Sequence, residues 1–98
     1  MLRHVVMFRW IEGISPDQVR HVSDSLNTLP AAIPEISRYQ HGPDAGINQG
    51  NADYVVVADF SNVENYLTYR DHPVHKQLIA DVLAPLIASR SAVQYHLD

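Results

Sequence analysis

The chain reads as an α+β domain: a four-stranded antiparallel sheet with two helices on one of its faces. Three observations predict this. Apolar residues alternate with period two near both chain ends and in 52–60. They recur at helical spacing in two segments between those strands. Helix-start signals stand at Ser15-Pro16 and at His72-Pro73.

The opening "RHVVMFRWI", residues 3–11, reads as a strand. His4, Val6, Phe8 and Trp10 share one face, and Val5 and Met7 share the other. A helix follows. Ser15 is its N-cap, Pro16 its first residue, and Gln18 completes a capping box. Val19, Val22, Leu26 and Leu29 then form one helical face, and Pro30 and Pro34 are expected to end it. "EISRYQHG", 35–42, fits a second strand, and 42–52 a glycine-rich connection with no phosphate-binding spacing. "ADYVVVADF", 52–60, is the clearest strand, rich in β-branched and aromatic residues. Ser61 and Glu64 suggest a second capping box, opening a short helix over 62–70. A break is expected at Asp71-His72, because proline restricts the residue before it, and the helix restarts at Pro73 with His72 near the cap. It is expected to run to Ser89 with a kink at Pro85. "SAVQYHL", 91–97, reads as the last strand.

The order β-α-β-β-α-β is the split βαβ, ferredoxin-like arrangement. Two helices cover one sheet face only. Yet Val5, Met7, Val55, Val57, Val93 and Tyr95 would leave the opposite face apolar too. A monomer tolerates only a few hundred Å² of such surface, so a homodimer with sheets face to face is expected.

Ninety-eight residues suit one domain, 1–98. A net charge of -4 excludes a polyanion-binding field, so no nucleic acid partner is expected. No apolar run nears the ~20 residues that span a bilayer, so no membrane partner is expected either. "MLRHVVMFRW" does not read as a signal peptide, since Arg3, His4 and Arg9 interrupt it. There are no cysteines, and a cytoplasmic setting is expected.

The candidate chemistry lies in "YRDHPVH", 69–75. His75 heads a helical stripe with Leu78, Ile79, Val82 and Leu86, which points it at the sheet. His4 can converge on it if the His4 face is the helix-covered one. A neutral imidazole in an apolar pocket can act as a general base, and the Tyr69 phenol can donate a hydrogen bond to an enolate oxygen. The pocket wall is expected to include Val6, Phe8, Val22, Leu26, Tyr54, Leu78, Ile79 and Val82. A metal held by His4, His72 and His75 is the rival chemistry. His72 as a cap faces elsewhere, so neither metal nor cofactor is expected.

Several stretches carry a family resemblance: "LRHVVMFRW", "EGIS", "LPAAIPEI", "YVVVADFSNVENYLTYRDHPVHKQL" and a closing strand after "LAPLI". The chain resembles the stress-responsive A/B barrel proteins, a branch of the dimeric α/β-barrel superfamily. The resemblance implies a ferredoxin-like dimer. It also suggests polyketide cyclase, the activity of a plant subgroup that closes a linear poly-β-keto thioester without metal or cofactor. The working Tyr and His of that subgroup match Tyr69 and His75, and its first-strand His matches His4. Its third-strand histidine corresponds to Tyr54 here. Three functions stay open: a cofactor-independent cyclase-like lyase or isomerase acting on a small hydrophobic, phenolic or polyketide ligand; a non-catalytic stress-associated dimer; and, by superfamily analogy, a cofactor-free monooxygenase.

Overall fold

The computed structural model describes residues 1–97. Asp98, the last residue of the expected domain, lies outside them. The order is β1 (Leu2–Trp10), α1 (Pro16–Leu26), a short α2 (Leu29–Ala32), β2 (Arg38–Pro43), β3 (Tyr54–Phe60), α3 (Val63–Asp71), α4 (Pro73–Leu78) and β4 (Ile87–His96). A π-helical turn (Ile79–Leu83) and a 3₁₀ turn (Ala84–Leu86) join α4 to β4. The strands form one antiparallel sheet in the order β2-β3-β1-β4. This is the ferredoxin-like arrangement expected from the sequence.

Helix starts follow the local chemistry. Ser15 Oγ accepts from the Gln18 N–H, and Gln18 Oε1 accepts from the Ser15 N–H. His72 caps α4: its Nδ1 accepts from the Val74 N–H at 3.1 Å. Its extended backbone, with ψ at 133°, is what the following proline demands.

Several boundaries differ from the sequence reading, among them the start of β4, at Ile87 rather than 91. The strand expected from residue 35 begins at Arg38. Pro30 does not simply end the first helix; it sits near the start of α2, where its missing N–H costs nothing. Asn62, not Ser61, caps α3, accepting from the Asn65 N–H at 2.8 Å. The second helical region stops by Leu86 rather than Ser89. Pro85 does not kink a continuing helix but lies in the 3₁₀ turn that ends it. Just before it the Ala84 N–H reaches back five residues, to the Ile79 carbonyl.

The core lies between sheet and helices. Val6, Phe8, Tyr54, Val56, Ala58 and Phe60 from the sheet meet Val22, Leu26, Leu29, Ile33, Tyr69 and Leu83. Residues paired across an antiparallel ladder share a face. The other face therefore carries Gln40, Val57, Val5 and Val93 in one row, and Val55, Met7 and Ser91 in the next. Val93 is 54% exposed and Met7 42%. A charged row borders this apolar strip, where Arg3 makes a two-pronged ion pair with the buried Asp59 at 2.8 and 2.9 Å.

Candidate functional site

A cavity of about 500 Å³ opens between the inner sheet face and the helices. That volume lies in the range of small-molecule sites, ~300–1,000 Å³. Val6 and Phe8 from β1, Val56 from β3 and Leu26 from α1 supply apolar wall, with Ile79, Leu83 and Ala84 from the segment between α4 and β4 and Ile87 at the start of β4. The polar groups are His4, Tyr39, Tyr66, Tyr69, Arg70, His75 and Arg90.

The restart of the helix at Pro73 folds His75 back against Tyr69. The two rings lie with centroids 4.1 Å apart. His75 Nδ1 is 3.1 Å from the Arg70 carbonyl oxygen, which can only accept. The proton of the neutral ring therefore sits on Nδ1, and Nε2 keeps its lone pair. Burial pushes the His75 pKa down, helped by the charges of His72 and Arg90 and opposed by the bond to the Arg70 carbonyl.

His4 stands on the facing strand, 6.2 Å from Tyr69 between ring centroids. The Gln94 amide nitrogen donates to His4 Nδ1 at 2.9 Å, which puts the neutral ring's proton on Nε2. Burial, with the charges of Arg90 and His75, lowers its pKa to about 4. The hydroxyls of Tyr39 and Tyr69 are 3.4 Å apart, and burial pushes both phenols up.

The structure thus brings His4, Tyr69 and His75 to one cavity. Of the wall residues expected from sequence, Val6, Phe8, Leu26 and Ile79 line it, and Val22, Tyr54, Leu78 and Val82 do not. Val22 is fully buried within the core. Leu78 packs against the core from its edge. Val82 is displaced because the π-helical turn brings Leu83 into the core in its place. Tyr54 is taken by another partner. Its hydroxyl donates to His41 Nδ1 at 2.6 Å, while His41 Nε2 donates to Asn27 Oδ1 at 2.7 Å. The sequence reading missed Tyr39, Tyr66, Arg70 and Arg90. Arg90 enters through strand register: it pairs with Phe8 and so shares its face. Among the described residues no three His, Asp or Glu side chains come together as a metal site.

Fold and site together define a ferredoxin-like α+β domain with a histidine–tyrosine cavity between sheet and helices. The chain belongs to the stress responsive A/B barrel domain family, whose model matches residues 2–97. It is similar to a dimeric ferredoxin-like protein from Thermobifida fusca: 45% identity, 98% of this chain and 90% of that one covered, TM-score 0.90. A dimeric protein of the same fold from Bacteroides fragilis is 25% identical, over 98% and 95% of the chains, with TM-score 0.79. The hydroxynitrile lyase of Passiflora edulis shares the fold at 19% identity, over 99% and 93%, with TM-score 0.85. No protein with a curated description matches the sequence. Among the described residues no helix is long and apolar enough to cross a membrane.

Proposed function

We propose that the cavity binds a small, partly apolar molecule and that His75 and Tyr69 act on it without a cofactor, in a lyase or isomerase reaction of the polyketide-cyclase kind. The observation that carries this reading is the tautomer of His75. The Arg70 carbonyl holds the proton on Nδ1, so Nε2 is left as a base at the wall of an apolar cavity. Its depressed pKa keeps it neutral at pH 7. In the proposed step Nε2 takes a proton from carbon next to a carbonyl, and the electron pair moves onto the carbonyl oxygen. The Tyr69 hydroxyl donates to that oxygen, with Tyr39 donating to Tyr69 from behind. The enolate then attacks a second carbonyl, whose oxygen takes the proton from Nε2, or it takes that proton back at another carbon. His4, neutral and fixed by Gln94, orients the substrate through its Nε2 proton. A lyase in Passiflora edulis on the same fold supports catalysis as something the scaffold accommodates.

The same reading includes a homodimer built on the open sheet face. The exposed strip of Met7, Val93 and Tyr95, and the dimeric proteins from Thermobifida fusca and Bacteroides fragilis, support it. Light scattering on Val93→Asp should show a monomer where the unmodified chain is a dimer; a dimeric variant would move the interface elsewhere.

Exchange of the acidic C–H protons of aromatic β-keto esters in deuterated water, followed by NMR, tests the chemistry. The unmodified chain should exceed the buffer rate, and His75→Ala should lose about 10²–10⁴ of that acceleration. A wild-type rate equal to buffer would leave a binding protein or a structural dimer.

A further inference from the structure

Among the described residues the cavity wall holds two cations, Arg70 and Arg90, and no acid, in a chain of net charge -4. They are not equivalent. Arg70 is neutralised by Asp71, which it grips with two hydrogen bonds of 2.9 and 3.0 Å. Arg90 has no carboxylate partner among the described residues. It lies on β4, an edge strand, and edge strands often carry charge to deter pairing. That purpose alone would not set it over the cavity. Arg90 pairs with Phe8, so its side chain rises on the cavity face of the sheet, above an apolar floor. Both histidines of the site feel its charge.

We infer that the cavity is shaped for a molecule with an apolar body and a single carboxylate, the body lying against Phe8, Leu26, Val56 and Leu83 and the carboxylate held by Arg90 at the mouth. The inference rests on the binding part of the proposed function and names its ligand class. A guanidinium matches a carboxylate fork to fork, two N–H groups to two oxygens. One uncompensated guanidinium balances one negative charge; a phosphate monoester, near two charges, would want more than the wall offers. With Arg70 already held by Asp71, the remaining wall is apolar apart from phenols and neutral imidazoles, so the charge has one unpaired partner to go to.

Calorimetric titration with two matched pairs, hydrocinnamate against its amide and hexanoate against hexanamide, at neutral pH and low salt, tests this. Each acid should bind about tenfold or more tighter than its amide, the increment of a charge-assisted hydrogen bond. Arg90→Gln should bring the acids to the level of the amides, and Arg90→Lys should restore part of the difference. Arg90 is exposed, so both variants should keep the fold. The inference fails alone if acid and amide bind the unmodified chain equally, or if the preference survives in Arg90→Gln. If none of the four compounds binds, it falls together with the small-molecule reading.

Discussion

Two of the tyrosine–histidine pairs in this small domain, Tyr54–His41 and Tyr69–His75, are wired in opposite ways. In the Tyr54–His41 pair both ring nitrogens are spoken for, one by the tyrosine hydroxyl and one by Asn27. The Tyr69–His75 rings lie tilted at 34° with centroids 4.1 Å apart, and only Nδ1 is engaged. Burial pushes both histidines toward the neutral form, so burial does not distinguish them. The unused lone pair beside a cavity does. A closed chain of hydrogen bonds ties β2 to β3 and α1; an open one leaves an atom that can react.

The largest test of that contrast swaps the two losses. His75→Ala should remove most of the exchange activity, about 3–5 kcal/mol of barrier at the expected 10²–10⁴, while stability changes by about 1 kcal/mol or less. His41→Ala should do the reverse. It leaves the Tyr54 hydroxyl, on a residue 2% exposed, without its histidine acceptor, which should cost about 1–3 kcal/mol in urea denaturation with exchange retained. Tyr54→Phe should cost less, and adding it to His41→Ala should recover part of the loss, since the orphaned hydroxyl is gone. Equal stability losses at positions 41 and 75 would erase the distinction.

A smaller effect sharpens the contrast through pH. The His4 pKa is about 4 in the folded chain, against an ordinary value near 6.5. The unfolded chain therefore binds the proton first. Stability is complete above pH 6.5, falls as pH drops toward 4, and levels off below. His75 and His41 are shifted in the same direction and add to the slope. The share of His4 should be on the order of 3 kcal/mol, and His4→Gln should remove it from a series of denaturation curves. An unchanged slope in the variant would mean that His4 meets water more freely than its position suggests.

Much of the fold was legible because strand alternation and caps are local. Ser15 and His72 announce their helices within three residues, and the β1 pattern assigns His4, Val6 and Phe8 to one face. What was not legible depends on partners distant in sequence or on departures from regular geometry. The stripe from His75 reaches Ile79 correctly, then misses Leu83, because an even helical count cannot anticipate the wide turn ahead of Pro85. Tyr54 looks like a wall residue until β2 pairs with β3 and sets His41 beside it. Arg90 and Tyr39 join the site only through strand register, which the sequence leaves open.

His72 supplies the smallest prediction and the control for the rest. It sits three residues from His75 and shares its motif, yet its Nδ1 is spent on the Val74 N–H and it does not line the cavity. His72→Ala should cost about 0.5–1 kcal/mol, the ordinary loss of an N-cap, and His72→Asn should restore nearly all of it, because an asparagine oxygen can take the same N–H. Exchange activity should follow stability in both variants. Activity falling further than stability, and returning with asparagine, would show that the cap sets the angle at which α4 presents His75. That would make His72 a positioning residue, and the separation between closed and open histidines would no longer be clean.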